Sequence, residues 1–328
     1  MAVCRFGRYS SRTVSDILFI KTSSLGDVIH HMPALTEAHD RRPDAQFAWI
    51  VEEAFSPLLR LHSAVGEVIP VASRRWRKSL LRPSTLREIE AGMSALRARR
   101  YDRIIDTQGL LRSAMLARAA RGQRHGYDHA SIREPLASLF YDVRHTVSRE
   151  LHAVERNRRL TGLVLGYTPE GAPDYGLDRA RLRNTVERTA VLLHATARPE
   201  KEWPEANWIS LARSFAQRGL MPLLPWGSDN ERARAQRIAA QVPEARVPER
   251  APLDQVARLI AGAELVVGVD TGLLHLAAAL GVPLVAIFSG SKPQLTAPVG
   301  SGPMRVLGTF GKAPDLADVE EAMSTLLA

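Results

Sequence analysis

Two turns from strand to helix carry the residues best suited to chemistry. In one, Lys21-Thr22-Ser23-Ser24-Leu25-Gly26-Asp27 follows the apolar run Ile17 to Ile20. In the other, Asp270-Thr271-Gly272 follows Leu265 to Val269, and His275 comes about one helical turn later on the same face. Helix N-terminal amides at such turns point beyond the strand ends, where ligands of open α/β sheets bind. Gly272 lets the backbone approach a ligand closely, and Thr271 adds a hydroxyl. Taken alone, the second turn also fits a plainer role, with Asp270 as a helix N-cap and His275 packed in the core. Asp-Thr-Gly opens aspartic protease sites too, but those need a second carboxylate to share a proton in an all-β setting. Only one Asp-Thr-Gly occurs here, amid α/β patterning. Asp27 has two readings as well: an acid that complements the helix dipole, or a carboxylate serving a site at a strand's carboxyl end.

Further candidates follow the same logic. The run Val191 to Leu193 ends in His194-Ala195-Thr196-Ala197-Arg198, with Lys201 close by to meet a phosphate. Glu231 opens a helix after Pro225-Trp226-Gly227-Ser228, where it can accept from ribose hydroxyls or simply favour the helix start. Ser73-Arg74-Arg75-Trp76-Arg77-Lys78 is the densest basic cluster. It reads either as a solvated face or as a clamp for phosphates and sugar carboxylates, which arginine forks match. The turn after Ile20 has a single glycine, which disfavours both a dinucleotide fingerprint and a P-loop.

The elements that position these residues read as α/β. Apolar, β-branched runs at Ile17–Ile20, Phe47–Val51, Glu67–Val71 and Asp102–Asp106 predict a first set of strands. Val191–Leu193, Met221–Leu224, Leu265–Val269 and Pro283–Phe288 predict a second. Helices are expected over about Val28–Ala38, Ala206–Arg218, Pro252–Ile260 and Leu273–Leu280. Periodicity lapses between Gly166 and Thr189, where Pro169, Gly171, Pro173 and Gly176 mark a linker. The expected organisation is a polar extension (1–15), a Rossmann-like domain (16–165), the linker (166–189), a second Rossmann-like domain (190–312) and a C-terminal helix (313–328). That helix packs either on its own domain or back on the first. Two Rossmann-like domains with parallel sheets facing across a cleft is the inferred form.

Composition bounds the partners. The 328 residues suit two domains, and 45% hydrophobic with 24% charged content is ordinary for a globular protein. A net charge of +9 favours an anionic partner, whether nucleic acid, anionic lipid or a phosphorylated substrate, or else a basic surface kept only for solubility. Aromatics are scarce at 6%, and no nucleic-acid module is recognisable, so nucleic acid is not expected as a partner. One cysteine, Cys4, excludes a disulfide framework and suits a reducing cytoplasm. No apolar run has the length of a membrane span.

Five segments then occur in order: Lys21 to Asp27, Arg74 to Lys78, Arg133-Glu134-Pro135-Leu136-Ala137-Ser138-Leu139-Phe140-Tyr141, Leu224 to Gly227, and Val269 to His275. Together they resemble the ADP-heptose:lipopolysaccharide heptosyltransferase family, and within it the type I enzymes of the Gram-negative inner core. The resemblance covers nearly everything from Ile17 to Phe288. It implies the GT-B fold and inverting, metal-independent transfer of L-glycero-D-manno-heptose from ADP-heptose to the first Kdo of Kdo-lipid A. A type II enzyme with a different acceptor is the alternative. The resemblance also implies peripheral contact with the anionic cytoplasmic face of the inner membrane.

Carried over by position, the resemblance makes Asp27 the general base and assigns Thr196, Lys201, Glu231, Asp270, Thr271, Gly272 and His275 to the donor. Ser24, Gly26, Arg74, Arg75, Arg77 and Lys78 fall to the acceptor, and no cofactor or metal is implied. This chain departs from the family pattern at Ala197, where a second threonine is expected, and at Ala251, where a methionine is expected. It departs again at Lys292, where the family turn carries an acid.

Overall fold

The computed structural model describes residues 15–79, 81–183, 187–196, 198–290 and 293–328. Residues 1–14 of the expected extension, Ala197 and Lys292 lie outside them. Among the described residues the strands are β1 (Asp16–Ile20), β2 (Gln46–Glu52), β3 (Glu67–Val71), β4 (Arg100–Asp106), β5 (Arg121–Tyr127), β6 (Val143–His145), β7 (Thr189–Leu193), β8 (Met221–Leu223), β9 (Leu265–Val269), β10 (Leu284–Ile287) and β11 (Met304–Leu307). They form two parallel sheets, ordered β3-β2-β1-β4-β5-β6 and β11-β10-β9-β7-β8.

The apolar runs are continuous because both faces of each sheet are covered. In β1, Ile17 and Phe19 join one apolar cluster while Leu18 and Ile20 join another on the opposite face. In β9, Val266 faces one cluster, and Leu265, Val267 and Val269 face the other. The strands that the sequence does not signal are β5, β6 and β11. β5 reads Arg-Gly-Gln-Arg-His-Gly-Tyr and is exposed over its first half, while β6 and β11 are the outermost strands of their sheets. Edge strands bury little, so they need no apolar run.

The helix expected over Val28–Ala38 is instead two, Leu25–Ile29 and Met32–Arg41. Pro33 lies in the first turn of the second, where its missing N–H costs nothing, but within one long helix it would break the ladder. The basic stretch Ser73–Lys78, which shows no clear period, is a short helix. The linker contains a helical turn, Arg179–Leu182, tied to the second domain by the Arg179 guanidinium. It donates to the carbonyls of Ala261, Ala263 and Gly281. The C-terminal helix Leu316–Leu327 packs on the second sheet, burying Val319 and Met323 in its cluster.

The two domains meet through short helices. Leu25–Ile29 packs on Gly272–Ala279, and Ser56–Leu59 packs on Leu253–Gly262. Val28, Ile29, Leu274 and Leu276 share one buried apolar cluster across this junction.

Candidate active site

Each sheet reverses its strand order at one place, and a predicted loop lies there. In the first sheet β1 is flanked by β2 and β4, so the crevice opens between the carboxyl ends of β1 and β4. Lys21 to Asp27 follows β1, and Thr107-Gln108-Gly109 follows β4. The two loops are laced together. Lys21 Nζ donates to the Thr107 carbonyl at 2.8 Å, and the Gln108 side chain accepts from the amides of Thr22 and Ser23 at 3.1 and 3.2 Å. Burial lowers the Lys21 pKa, with the opposing pull of Asp27 and Asp106 nearby.

The Gln108 turn is itself braced from below. Buried Asp106 accepts from the amides of Gln108 and Gly109 and from the Tyr141 hydroxyl at 2.7 Å. Desolvation raises its pKa, while those hydrogen bonds pull it down. Tyr141 packs so closely on Gly126 that a Cβ there would lie 2.2 Å from the ring. The segment Arg133 to Tyr141 thus includes a residue that supports the floor of the crevice.

Asp27 stands at the third position of the helix Leu25–Ile29, whose N-cap is Ser24. Its Oδ2 accepts from the Ser24 amide at 2.8 Å and from the Ser24 hydroxyl at 3.0 Å. This is a capping interaction, so the plain role of a first-turn acid is filled. The same carboxylate also lines an open cleft of about 650 Å³. The two readings are compatible in one residue: capping sets the side chain, and its carboxylate borders the open cleft.

The second sheet reverses between β7 and β9, and Thr196 and Asp270 follow these strands. Thr196 Oγ1 donates to the Asp270 carbonyl at 3.1 Å, joining the two loops. Lys201 Nζ lies 2.5 Å from Asp270 Oδ2 in an ion pair whose side chains are 16% and 9% exposed. Asp270 Oδ1 is 3.9 Å from His275 Nε2. Burial pushes the His275 pKa down to about 4 against the attraction of Asp270. Glu231 accepts from the amides of Gly227 and Ser228 at 2.7 and 3.3 Å. It also lines a second cavity, of about 640 Å³, together with Trp226, Ala251 and Thr271.

The two helix N-termini are pressed together. A Cβ on Gly272 would lie 2.8 Å from Leu25 Cβ, and one on Gly26 would lie 3.0 Å from His275 Cδ2. Glycine at both positions is what lets the Asp27 turn and the Asp270 turn approach. His30 Nε2 and His275 Nδ1, 3.2 Å apart, close the contact behind them.

The basic cluster is divided differently from its sequence grouping. Among the residues lining the Asp27 cleft the cations are Arg112, Arg133 and Arg198, and none of Arg74 to Lys78 is included. Arg74 lines the Glu231 cavity instead, with its guanidinium 5.4 Å from the Phe55 ring centre. Arg75 is bound by two carboxylates, Glu53 at 3.1 Å and Glu88 at 2.6 Å. Arg77 and Lys78 line neither cavity. In this structure, then, the stretch does not present its cations to the Asp27 cleft as one group. Arg112 was detectable in principle: it follows the Thr107-Gln108-Gly109 turn at the start of a helix, as Asp27 follows β1. Its Nη2 donates to Ser23 Oγ at 2.6 Å.

Among the described residues no group of three or more His, Cys, Asp or Glu side chains is placed to hold a metal ion. No helix among them is long and apolar enough to cross a membrane.

Two facing α/β domains with polar loops at both switch points have the GT-B type fold, and residues 90–324 match the model of glycosyltransferase family 9 (heptosyltransferase). The chain belongs to that family. It is 45% identical over 293 residues to lipopolysaccharide heptosyltransferase 1 of Salmonella typhimurium, covering 88% of this chain and 92% of the relative. The structure of E. coli heptosyltransferase WaaC with ADP superposes with a TM-score of 0.89 at 40% identity, covering 95% of this chain and 99% of that one. E. coli ADP-heptose LPS heptosyltransferase II gives 0.77 at 26% identity, covering 95% and 98%. The likeness is thus stronger to the type I enzymes, and the chain is a heptosyl-transferring enzyme of that type.

Proposed function

We propose that the protein moves L-glycero-D-manno-heptose from ADP-heptose to the first Kdo of Kdo-lipid A, with inversion at the anomeric carbon. The observation that supports this reading is the close approach of the Asp27 turn to the Asp270-Thr271-Gly272 turn, made possible by Gly26 and Gly272. A base and a diphosphate-binding turn on opposite domains are the two halves an inverting displacement needs.

In this reading the acceptor hydroxyl attacks the anomeric carbon as Asp27 takes its proton, and ADP departs from the opposite face. Charge grows on the sugar ring and on the leaving diphosphate. Lys201, the Thr196 hydroxyl and the amides opening the helix Gly272–Ala279 stabilise the diphosphate, since preorganised donors act strongly in a partly dry site. The Lys201–Asp270 pair holds the ammonium in place before the donor arrives. The Glu231 cavity takes the nucleoside, with Glu231 accepting from the ribose. Arg112, Arg133 and Arg198 receive the acceptor's carboxylates, alongside Ser24 and Gly26 at the helix start. No metal is assigned to the reaction, and the enzyme works on the cytoplasmic face of the inner membrane in peripheral contact with its anionic surface.

The test is ADP release from ADP-heptose with Kdo-lipid A in the presence of a chelator, with the product identified by mass. Sustained turnover and a product heavier by one heptose are expected. Turnover only on an already heptosylated acceptor would replace this reading with the type II reaction.

A further inference from the structure

The turn after β4 carries a side chain to which the transfer reaction, as described, gives no role. Gln108 is only 7% exposed, yet it lines the Asp27 cleft. Its Oε1 accepts from the backbone amides of Thr22 and Ser23, in the loop that leads to Asp27. Its own backbone N–H donates to Asp106 Oδ1 at 2.8 Å, so main chain and side chain are both pinned. The other half of the carboxamide is unused. Nε2 carries two hydrogens and has no hydrogen-bond partner among the described residues. It is not sealed from solvent either, and the open space that Gln108 borders is the cleft.

The orientation of this amide is set by its partners. Turned over, it would press its NH2 against two backbone N–H groups, donor against donor. A nearly buried side chain held in this way has little rotamer freedom left to lose when a ligand binds. The cations lining the same cleft differ: Arg112, Arg133 and Arg198 are all exposed. Exposed guanidiniums attract an anion from a distance, and salt screens that effect. A fixed neutral donor acts only at contact, where it aligns what it touches. The wall beside Asp27 thus offers a short-range donor to an oxygen of the sugar that fills the cleft.

We infer that Gln108 binds the acceptor, its Nε2 donating to an oxygen of the acceptor's sugar acid and so holding the attacking hydroxyl toward Asp27. The arginines gather the anionic acceptor, and Gln108 sets its angle of approach. This rests on the acceptor reading above, and it adds the neutral side chain that aligns the sugar.

The experiment measures kcat and both KM values, with ADP-heptose and Kdo-lipid A, at about 0.1 M and about 1 M salt. It is run on the full chain and on its Gln108→Glu and Gln108→Met variants, with thermal melting for each. Gln108→Glu keeps an oxygen for the Thr22 and Ser23 amides but exchanges the NH2 for a second acceptor. Its melting temperature and its KM for ADP-heptose are expected to match wild type, while kcat falls about 10- to 100-fold. That loss should persist at high salt, where a charge acting from a distance is screened. Gln108→Met removes both halves of the amide without adding charge; it is expected to lose at least as much kcat and to melt lower. Turnover of Gln108→Glu within about threefold of wild type would overturn the role and leave Gln108 a brace for the turn. So would a loss that salt abolishes, or one confined to the acceptor KM. If Gln108→Glu melts well below wild type, kcat of the folded Gln108→Met enzyme decides by the same margin. Wild type that turns over only a heptosylated acceptor would overturn the acceptor reading, a separate result, and the variants' kcat on that acceptor would then decide Gln108.

Discussion

His275 of the second domain and His30 of the first share a hydrogen bond of 3.2 Å, buried where the two helices that open onto the site cross. One ring nitrogen carries the hydrogen and the other accepts it. Burial lowers both pKa values, His275 to about 4 and His30 well below its usual range. His152 depresses both further, and His275 adds to the depression of His30. Asp270 and Asp27 pull His275 the other way, and Lys201 adds to its depression.

Stability should therefore fall in acid, in a predictable window. Histidines with depressed folded-state values stay neutral in the protein while the unfolded chain takes up protons below about pH 6.5. The contribution is complete above that pH and is lost progressively towards pH 4. Calorimetry from pH 8 to 4.5 should show the melting temperature dropping below about 6.5. A His275→Gln variant should show a slope shallower by up to about one proton. An unchanged slope would mean that His275 is charged in the folded state.

Asp27 should be tested with asparagine before alanine. An asparagine at this position would keep an oxygen to accept from Ser24, so the helix cap survives, whereas alanine removes cap and base together at about 1 kcal/mol of stability. Asp27→Asn is expected to lower kcat by about 10² to 10⁴ with ADP affinity nearly intact. Turnover within a few-fold of wild type would show that the base lies elsewhere.

The Lys201–Asp270 pair makes a prediction about coupling. Lys201→Ala takes the ammonium away from a mostly buried carboxylate, which should destabilise by several kcal/mol and weaken donor use. The double variant Lys201→Met/Asp270→Asn should recover much of the stability but not the donor affinity. Thermal melts and the KM for ADP-heptose separate these effects. Full recovery of donor use in the double variant would show that Lys201 serves structure alone.

Among the arginines, position in the fold should predict effect better than position in the chain. Arg112→Ala and Arg133→Ala are expected to raise the acceptor KM by about tenfold or more, as loss of a charge-assisted hydrogen bond does. Arg75→Ala, which only frees Glu53 and Glu88 at the surface, should change acceptor kinetics by less than about twofold. The reverse ranking would mean that the helix Ser73–Lys78 swings to the cleft when the acceptor binds.

Much of this was legible from the chain alone. Apolar runs such as Ile17–Ile20 and Leu265–Val269 imply strands covered on both faces, and the polar turns after them imply ligand loops. These signals are local, set by residues within a few positions of one another. The loop sequences were also enough to identify the family and to put forward Asp27, Thr196, Lys201 and Asp270 as candidates. Tertiary structure decided what depends on partners far along the chain. Arg75 is held by Glu53, 22 residues earlier, while its neighbour Arg74 turns to the Glu231 cavity. Arg112 comes to the Asp27 turn through Ser23, 89 residues before it. A run of like charges looks uniform in sequence, but each guanidinium goes to whichever carboxylate, ring or cavity the fold brings near it.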